Sequence, residues 1–222
     1  MLWVTEDRDN GPEWGARAQA DFDLLQRFGA GDQEAGNALF RRYYASVHRF
    51  FEVKAGAQAD DLTQRTFLAC VEASAHFRGA ASFRTFLFGI ARRQLWQFLR
   101  KGRRTSSAMR LTEAHGPATQ PTPTGLISRR QEQRLLLLAL EWLPPDLQVA
   151  VQLYYWEGMQ GAEIAEVLEI PPSTVRNRLS RAREALRERI CETTPSDLVL
   201  REALLRDLEG WTRSLVHADG AQ

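Results

Sequence analysis

Apolar residues recur every three to four positions along most of the chain, which is the spacing of amphipathic α-helices. Residues 21–55 carry two such stripes, separated by a Gly-Ala-Gly-Asp break at 29–32. Asp32 is placed to cap the second helix, with Glu34 in its first turn. Further helices are predicted at 60–71 and 82–101, and a second helical domain at about 129–191. No stretch alternates convincingly like a β-strand, so the predicted fold class is all-α.

A run rich in Gly, Pro, Ser and Thr interrupts the helical pattern at 102–128, a composition typical of a flexible linker. The chain is therefore predicted to form two small helical domains on a tether, with a helical extension at its C-terminus. The predicted ranges are an N-terminal extension at 1–20, a first domain at 21–104, a flexible linker at 105–130, a second domain at 131–192 and the C-terminal extension at 193–222. The apolar stripe of that extension, which includes Trp211, either covers the basic helix of the second domain or extends that domain's core.

The second domain contains the pattern of a helix-turn-helix at 161–190. Pro171 and Pro172 suit the start of the second helix, where a missing N–H group costs nothing. The stripes expected to face the core are Ile164, Ala165, Val167 and Leu168 in the first helix and Val175, Leu179, Ala182 and Leu186 in the second. The opposite face has short polar side chains around one arginine, with further arginines at its edges. Such a face can read base edges while its flanks hold phosphates; an ordinary charged hairpin is the alternative.

The composition excludes several classes of protein. Cys70 and Cys191 are the only cysteines in 222 residues, which excludes a disulfide scaffold or a cysteine-based zinc site and fits a reducing cytosol. No apolar run has membrane-spanning length, and the N-terminus lacks the basic start and apolar stretch of a signal peptide. We therefore expect a cytoplasmic protein without membrane insertion.

The formal net charge of +1 at first argues against a nucleic-acid binder, but the charges are segregated along the chain. Residues 77–110 hold nine Lys and Arg and no acid. Residues 141–171 hold six Asp and Glu and no Lys or Arg, and 172–190 hold six arginines against two glutamates. Each basic block falls on one predicted helix. Solvated helix faces could account for one such block, but two are harder to explain in that way.

The first basic block lies on a helix with two different faces. On a helical wheel its core face is formed by Phe83, Phe86, Leu87, Ile90, Ala91 and Phe98. The other face gathers Arg92, Arg93, Trp96 and Arg100, with Phe88 at its margin. Guanidinium groups can meet phosphates while aromatic rings stack on unpaired bases, so this face suits single-stranded nucleic acid. The alternative is that Trp96 packs under the next domain or the linker.

Several of these segments resemble a known family. DLTQRTFL at 61–68, FRG at 77–79 and SFRTFLFGIAR at 82–92 resemble the second conserved region of bacterial RNA polymerase sigma factors, most closely those of the extracytoplasmic-function (ECF) group. The segments similar to the fourth region are LPP at 143–145, YYWEGM at 154–159, EIAEVL at 163–168 and TVRNRLSRAR at 174–183. The resemblance covers about 21–104 and 131–190, in the order expected for this family.

The resemblance implies a promoter-recognition subunit of RNA polymerase, with three sets of binding residues. The residues implied to dock on the β′ clamp helices of core RNA polymerase are Asp61, Leu62 and Gln64. Those implied to open and hold the −10 element are Arg78, Phe83, Arg84, Phe88, Arg92, Arg93, Trp96 and Arg100. Those implied to read the −35 element are Ser173, Thr174, Arg176, Asn177, Arg178, Ser180, Arg181, Arg183 and Arg187. The acidic stretch at 141–171 would face the β flap, and the family also implies an anti-sigma partner.

Four positions differ from the usual family pattern. Phe86 replaces a Trp, Arg93 a frequent Asn and Gln97 a frequent Asp in the −10 region. Glu169 stands at the turn glycine of the helix-turn-helix, which puts a side chain where glycine adopts a positive φ more easily.

Two other classes of function fit less of the sequence. A stand-alone DNA-binding regulator would use only the helix-turn-helix and would leave the first domain unexplained. An enzyme is not expected, because the chain has no phosphate-binding glycine loop or hydrolase motif. The four histidines form no metal-ligand pattern, and Asp60 and Asp61 suit a helix cap and a protein contact better than a metal site. No catalytic residue, metal or cofactor is therefore predicted.

Overall fold

The structure is a computed structural model that describes residues 12–74, 77, 81–108 and 137–193, with side chains at 16–74, 77, 81–102 and 137–193. Within these ranges every regular element is helical, which confirms the predicted all-α class. The helices of the first domain are α1 (Pro12–Gly29), α2 (Gln33–Ala55), a 3₁₀ turn (Gly56–Gln58), α3 (Ala59–Ser74) and α4 (Phe83–Ala108). Those of the second are a helical segment at 137–142, α5 (Pro145–Val151), a π-helical turn (Gln152–Trp156), α6 (Gly161–Leu168) and α7 (Pro172–Thr193).

The break between α1 and α2 forms as predicted. The Asp32 side chain accepts a hydrogen bond from the Ala35 backbone N–H at 3.1 Å, and Glu34 lies in the first turn of α2. Gly31, at φ 98°, provides the left-handed backbone that reverses the chain. Asp32 also pairs with Arg27 at 2.6 Å, so a single carboxylate satisfies an orphan N–H of α2 and a cation of α1.

Helix α1 is anchored to the first domain by a buried polar contact. Asp21, which is buried, accepts hydrogen bonds from the Tyr43 hydroxyl and from Arg42, both on α2. Burial, together with the neighbouring Asp21 carboxylate, raises the pKa of Tyr43 above its usual value. This helix begins at Pro12, within the range predicted as an N-terminal extension. The domain core beneath it is rich in phenylalanine and leucine: Leu39, Phe50, Phe51, Phe83, Leu87, Phe88 and Leu95.

The helix-turn-helix of the second domain is present, with both predicted apolar stripes buried. Glu169 ends α6 at φ 54° and ψ 45°, the left-handed conformation that the glycine of this turn usually adopts. A capping box begins α6, because Glu163 accepts from the Gln160 backbone N–H at 2.9 Å. The π-helical turn before it was not predicted. There the Glu157 N–H bonds to the Gln152 carbonyl at 3.2 Å, and the added residue leaves no mark in the apolar spacing.

The two domains pack directly against each other. Helix α4 of the first domain lies against α6 of the second, and the buried apolar residues of both domains form one continuous cluster. The prediction of two helical domains is confirmed, and the structure adds that the two domains are in contact. The predicted linker falls mostly outside the described residues, as do the range 194–222 of the C-terminal extension and the tail contacts predicted for it. Helix α4 continues to Ala108, four residues into the range predicted for the linker.

Candidate nucleic-acid interfaces

Helix α7 presents the predicted polar face to solvent. Its buried stripe faces α5 and α6, which leaves the opposite side open. The exposed members of the predicted −35 set are Ser173, Arg176, Asn177, Ser180, Arg181 and Arg187. Thr174, Arg178 and Arg183 are half-buried. This helix can lie in a major groove with short polar groups and Arg181 towards the bases.

Two arginines at the edges of α7 also hold it to its own domain. Arg178 forms an ion pair with Asp146 of α5 at 3.6 Å. Arg183 donates to the Tyr155 hydroxyl of the π-helical turn at 3.4 Å. These contacts hold α7 in one orientation on its domain. A helix that reads base edges requires such a fixed orientation.

The predicted −10 residues of α4 divide into an exposed and a covered group. Arg93 and Arg100 are exposed, whereas Arg92 and Trp96 are half-buried. Arg78 lies outside the described residues.

Two residues of the predicted −10 set, Phe83 and Phe88, are core residues. This agrees with the position of Phe83 on the core face of the helical wheel and corrects that of Phe88 at the margin of the basic face. The ring of Phe83 packs against Tyr43, with 5.5 Å between the ring centroids. The ring of Phe88 packs edge-on against Phe50, with 5.6 Å between the centroids. The Phe88 side chain is fully buried, so it does not border an exposed face. The reason is that α4 packs on α2 and α3 on one side and on α6 on the other, which buries a wider sector than a one-sided helix would.

Two arginines of α4 are engaged by the second domain. Arg84, only 8% exposed, donates to the Glu157 backbone carbonyl at 2.7 Å and to both carboxylate oxygens of Glu163 at 3.0 Å. Arg92 donates to the Val167 backbone carbonyl at 2.7 Å and to the Glu169 carboxylate at 3.3 Å. The Val167 carbonyl is one of the last in α6 and lacks an intrahelical partner, so Arg92 acts as a charged cap on that helix.

Helix α2 contributes a second set of contacts to the same interface. Arg49 pairs with Glu157 at 3.4 Å, and Gln152 donates through Nε2 to the Phe50 carbonyl at 3.4 Å. Burial raises the pKa of the Glu157 carboxyl, although the Arg49 guanidinium opposes the shift. Lys54 donates to the Glu141 backbone carbonyl, and burial lowers the pKa of its ammonium.

The acidic stretch at 141–171 has partners within the chain that the sequence did not predict. The β flap was its expected partner. In the structure Glu157, Glu163 and Glu169 all meet basic side chains of the first domain. The basic block on α4 and this acidic stretch thus neutralise each other within one chain.

The predicted polymerase-binding residues lie on α3. Asp61 and Gln64 are exposed, and Asp61 pairs with Arg65 at 2.9 Å. Leu62 is 3% exposed and belongs to the core, so its expected direct contact with a partner is corrected: its side chain lies in the buried stripe of α3.

An exposed apolar patch beside these residues was missed from the sequence. It consists of Leu68, 64% exposed, and Val71 of α3, and the exposed Tyr44 ring of α2 stacks on the neighbouring Phe67 at 6.3 Å between ring centroids. The signal was available, because Gln64, Leu68 and Val71 follow one another at helical spacing on a face away from the buried stripe. Exposed apolar patches rimmed by charge are typical of protein-binding surfaces.

Comparison with known proteins agrees with this geometry. The family "Sigma-70 region 2" matches residues 38–105, and "Sigma-70, region 4" matches residues 133–186. The ECF RNA polymerase sigma-E factors of Escherichia coli (strain K12) and Salmonella typhimurium (strain LT2) are each 33% identical over 177 residues, which cover 75% of this chain and 92% of the relative. The sigma-E factor of Haemophilus influenzae is 29% identical over 184 residues, covering 79% and 97%.

The chain is a sigma factor of the ECF group. As such it directs promoter-specific transcription initiation. The region 2 match accounts for the first domain, which the hypothesis of a stand-alone helix-turn-helix regulator left unexplained.

Two solved structures have the same fold as this sigma factor. CnrH, solved in complex with the cytosolic domain of CnrY, has a TM-score of 0.55 at 23% identity and covers 75% of this chain and 94% of that one. The sigma factor RpoE of Bartonella quintana, in complex with the anti-sigma factor NepR, has a TM-score of 0.57 at 22% identity and covers 69% and 95%. In the described part of this sigma factor, no helix combines the length and the apolar character that crossing a bilayer requires.

Proposed function

We propose that this sigma factor binds core RNA polymerase through α3, melts and holds the −10 element with α4, and reads the −35 element as duplex with α7. The supporting observation is the different chemistry of two basic helices. Short polar groups surround Arg181 on α7, which suits base edges in a groove. Trp96 lies among arginines on α4, which suits unpaired bases and their phosphates.

On α7 the central and edge positions have separate roles. Ser173, Asn177, Ser180 and Arg181 contact base edges, because they lie opposite the buried stripe. The residues at its edges hold phosphates: Thr174, Arg176, Arg178, Arg183 and Arg187.

On α4 the −10 strand is held by two groups of residues. Arg93 and Arg100 are exposed, and Trp96 is half-buried, while the domains are packed together. Arg84 and Arg92 join them only after the second domain has moved away, since it engages both guanidinium groups. Phe83 and Phe88 support this surface from the core, and Arg78, which lies outside the described residues, is proposed as a further −10 contact.

Core RNA polymerase is bound by a composite surface. Asp61, Gln64, Leu68 and Val71 of α3 dock on the β′ clamp helices, with Leu62 holding that helix from below. The acidic side of the second domain faces the β flap once the domains separate. An anti-sigma protein is also a partner, by analogy with the RpoE that was solved with NepR. The proposed location is the cytoplasm, where core RNA polymerase and promoter DNA would meet this protein.

The test is transcription from a promoter library by purified core enzyme, with and without this protein. We expect stimulation of a subset of promoters that share two sequence elements, and co-purification with β′. Leu68→Asp places a charge in the apolar patch of α3 and should reduce both. Asp23→Ala, an exposed change on α1, is the matched control and should reduce neither. A protein that neither stimulates core enzyme nor co-purifies with it would overturn the proposal.

A further inference from the structure

The contact between α4 and α6 uses the donors that a DNA phosphate would need. Arg84 and Arg92 each give one Nη to a backbone carbonyl and the other to a carboxylate of the second domain. A guanidinium engaged in this way cannot bind a phosphate with the same N–H groups. The second domain and single-stranded DNA therefore compete for the same two arginines.

Glu169 makes a contact at this interface that glycine could not make. Its backbone is left-handed at φ 54°, a conformation that a side chain makes less favourable. The side chain leaves the turn and brings its carboxylate to 3.3 Å from Arg92 of the other domain. An unfavourable residue at the turn of the helix-turn-helix thus coincides with an ionic contact to the first domain.

The packed arrangement is too compact for simultaneous reading of both promoter elements. Their names place the −10 and −35 elements 25 base pairs apart, which is about 85 Å at about 3.4 Å per base pair. The two domains touch, with Arg84 and Glu163 separated by 3.0 Å. Residues 109–136 join α4 to the described part of the second domain, and 28 residues can span up to about 90–100 Å. The chain can therefore reach both elements only after this interface opens.

Some polar atoms buried at the interface favour its opening. Arg49 Nε and Gln152 Oε1 are buried there with no hydrogen-bond partner among the described residues. Unpaired polar atoms lower the stability of a buried interface, and separation returns them to water. Charged groups form most of the described polar contacts, and such groups regain hydration when the domains separate.

We propose that Glu169 is a latch that holds the free chain closed by its contact with Arg92, so that −10 DNA and the second domain exclude each other on α4. The DNA part rests on the proposed function, whereas the closure itself does not. In the closed state α7 remains exposed while the −10 surface is partly covered. Binding of core polymerase, which separates the domains, makes Arg84 and Arg92 available.

The test measures domain separation by energy transfer within the full-length chain. One dye is attached to Cys191, which is exposed at the end of α7, and the other to Glu72→Cys on the exposed face of α3. Cys70 stays unlabelled in the native protein, since burial raises its pKa to about 12. Glu169→Gly removes the latch and relieves the turn. Glu166→Ala is the matched control: it removes a carboxylate from an exposed position of the same helix.

Glu169→Gly should shift the energy transfer towards an open population, without loss of thermal stability in the second domain. Its affinity for a thymidine oligomer of about 15 nucleotides should rise by about tenfold in the absence of polymerase. Glu166→Ala should leave both unchanged. The charge exchange Arg92→Glu with Glu169→Arg should restore the closed population, which each single change reduces.

Two outcomes would overturn the latch. The first is that Glu169→Gly gives the same energy transfer and the same oligomer affinity as Glu166→Ala. The second is that the charge exchange stays as open as its single changes. A chain that closes and opens as expected but never stimulates core polymerase would instead contradict the proposed function, so the two failures are distinguishable.

Discussion

The two basic helices α4 and α7 have the same signature in the sequence but different surroundings in the structure. Helix α7 packs on its own domain along one stripe and presents its polar face to solvent. Helix α4 is packed on two sides, and only part of its basic face, with Arg93 and Arg100, is exposed. One surface is ready to bind DNA, whereas the other is shared with a second domain of the same chain.

This difference shows that a charged block in a sequence does not by itself reveal which molecule or segment it binds. The basic block at 77–110 indicated DNA, and the acidic block at 141–171 indicated polymerase. In the structure they meet through Arg84 with Glu163 and Arg92 with Glu169. The net charge of +1 thus conceals two oppositely charged surfaces that pair with each other. Near-neutrality also weakens non-specific attraction of the free chain to bulk DNA.

The largest expected effect comes from Phe88, which the sequence placed beside the DNA-binding face of α4. Because its ring is fully buried against Phe50, Phe88→Ala should lower the free energy of unfolding by about 3–5 kcal/mol. Arg93→Ala, on the exposed side of the same helix, should change it by less than about 0.5 kcal/mol. Urea denaturation of the two variants measures the contrast. If the Phe88→Ala protein unfolded at the same urea concentration as the parent, Phe88 would not be a core residue.

A smaller effect is expected on α7, where specificity rather than stability should change. Arg181→Ala should cost about 1–3 kcal/mol in binding to the preferred −35 sequence and should relax the preference for it. Arg187→Ala, on the exposed edge of the same helix, should weaken binding to all sequences alike. Binding of the holoenzyme to matched and mismatched promoters measures both. If both variants lost the same binding free energy on every promoter, Arg181 would not contact base edges.

Local features were predictable from the sequence because their causes are local. The Asp32 cap, the buried stripes of α6 and α7, and the strained turn at Glu169 each follow from residues within a few positions of one another. The covered side of α4 was not predictable, because Arg84 meets Glu163 across 79 positions of sequence. The same holds for Leu68, whose exposure is apparent only when the buried stripe of α3 is known.

The smallest expected effect is a pH dependence of the contact between the two domains, centred on Glu157. This carboxyl faces Arg49 and Ser46 of α2 and Arg84 of α4, and burial raises its pKa above the ordinary value near 4.5. The closed state therefore binds a proton more tightly than the open state, in which the carboxyl is hydrated. The closed fraction should rise as the pH falls through the raised pKa, and fall as the pH increases above it.

The same pair of dyes measures this dependence between about pH 5 and pH 8. His48, which pairs with Asp60 of α3 at 3.2 Å, is an ionisable group of the first domain, and its contribution must be separated from that of Glu157. Glu157→Gln should abolish the change in energy transfer, because its amide does not titrate, whereas His48→Gln should keep it. Loss of the dependence in the His48 variant alone would assign the effect to the first domain and not to the interface. Because α7 stays exposed in both states, binding of a −35 duplex by the free chain should not follow this pH dependence. Such a result would separate the surface that is always available from the one that closure controls.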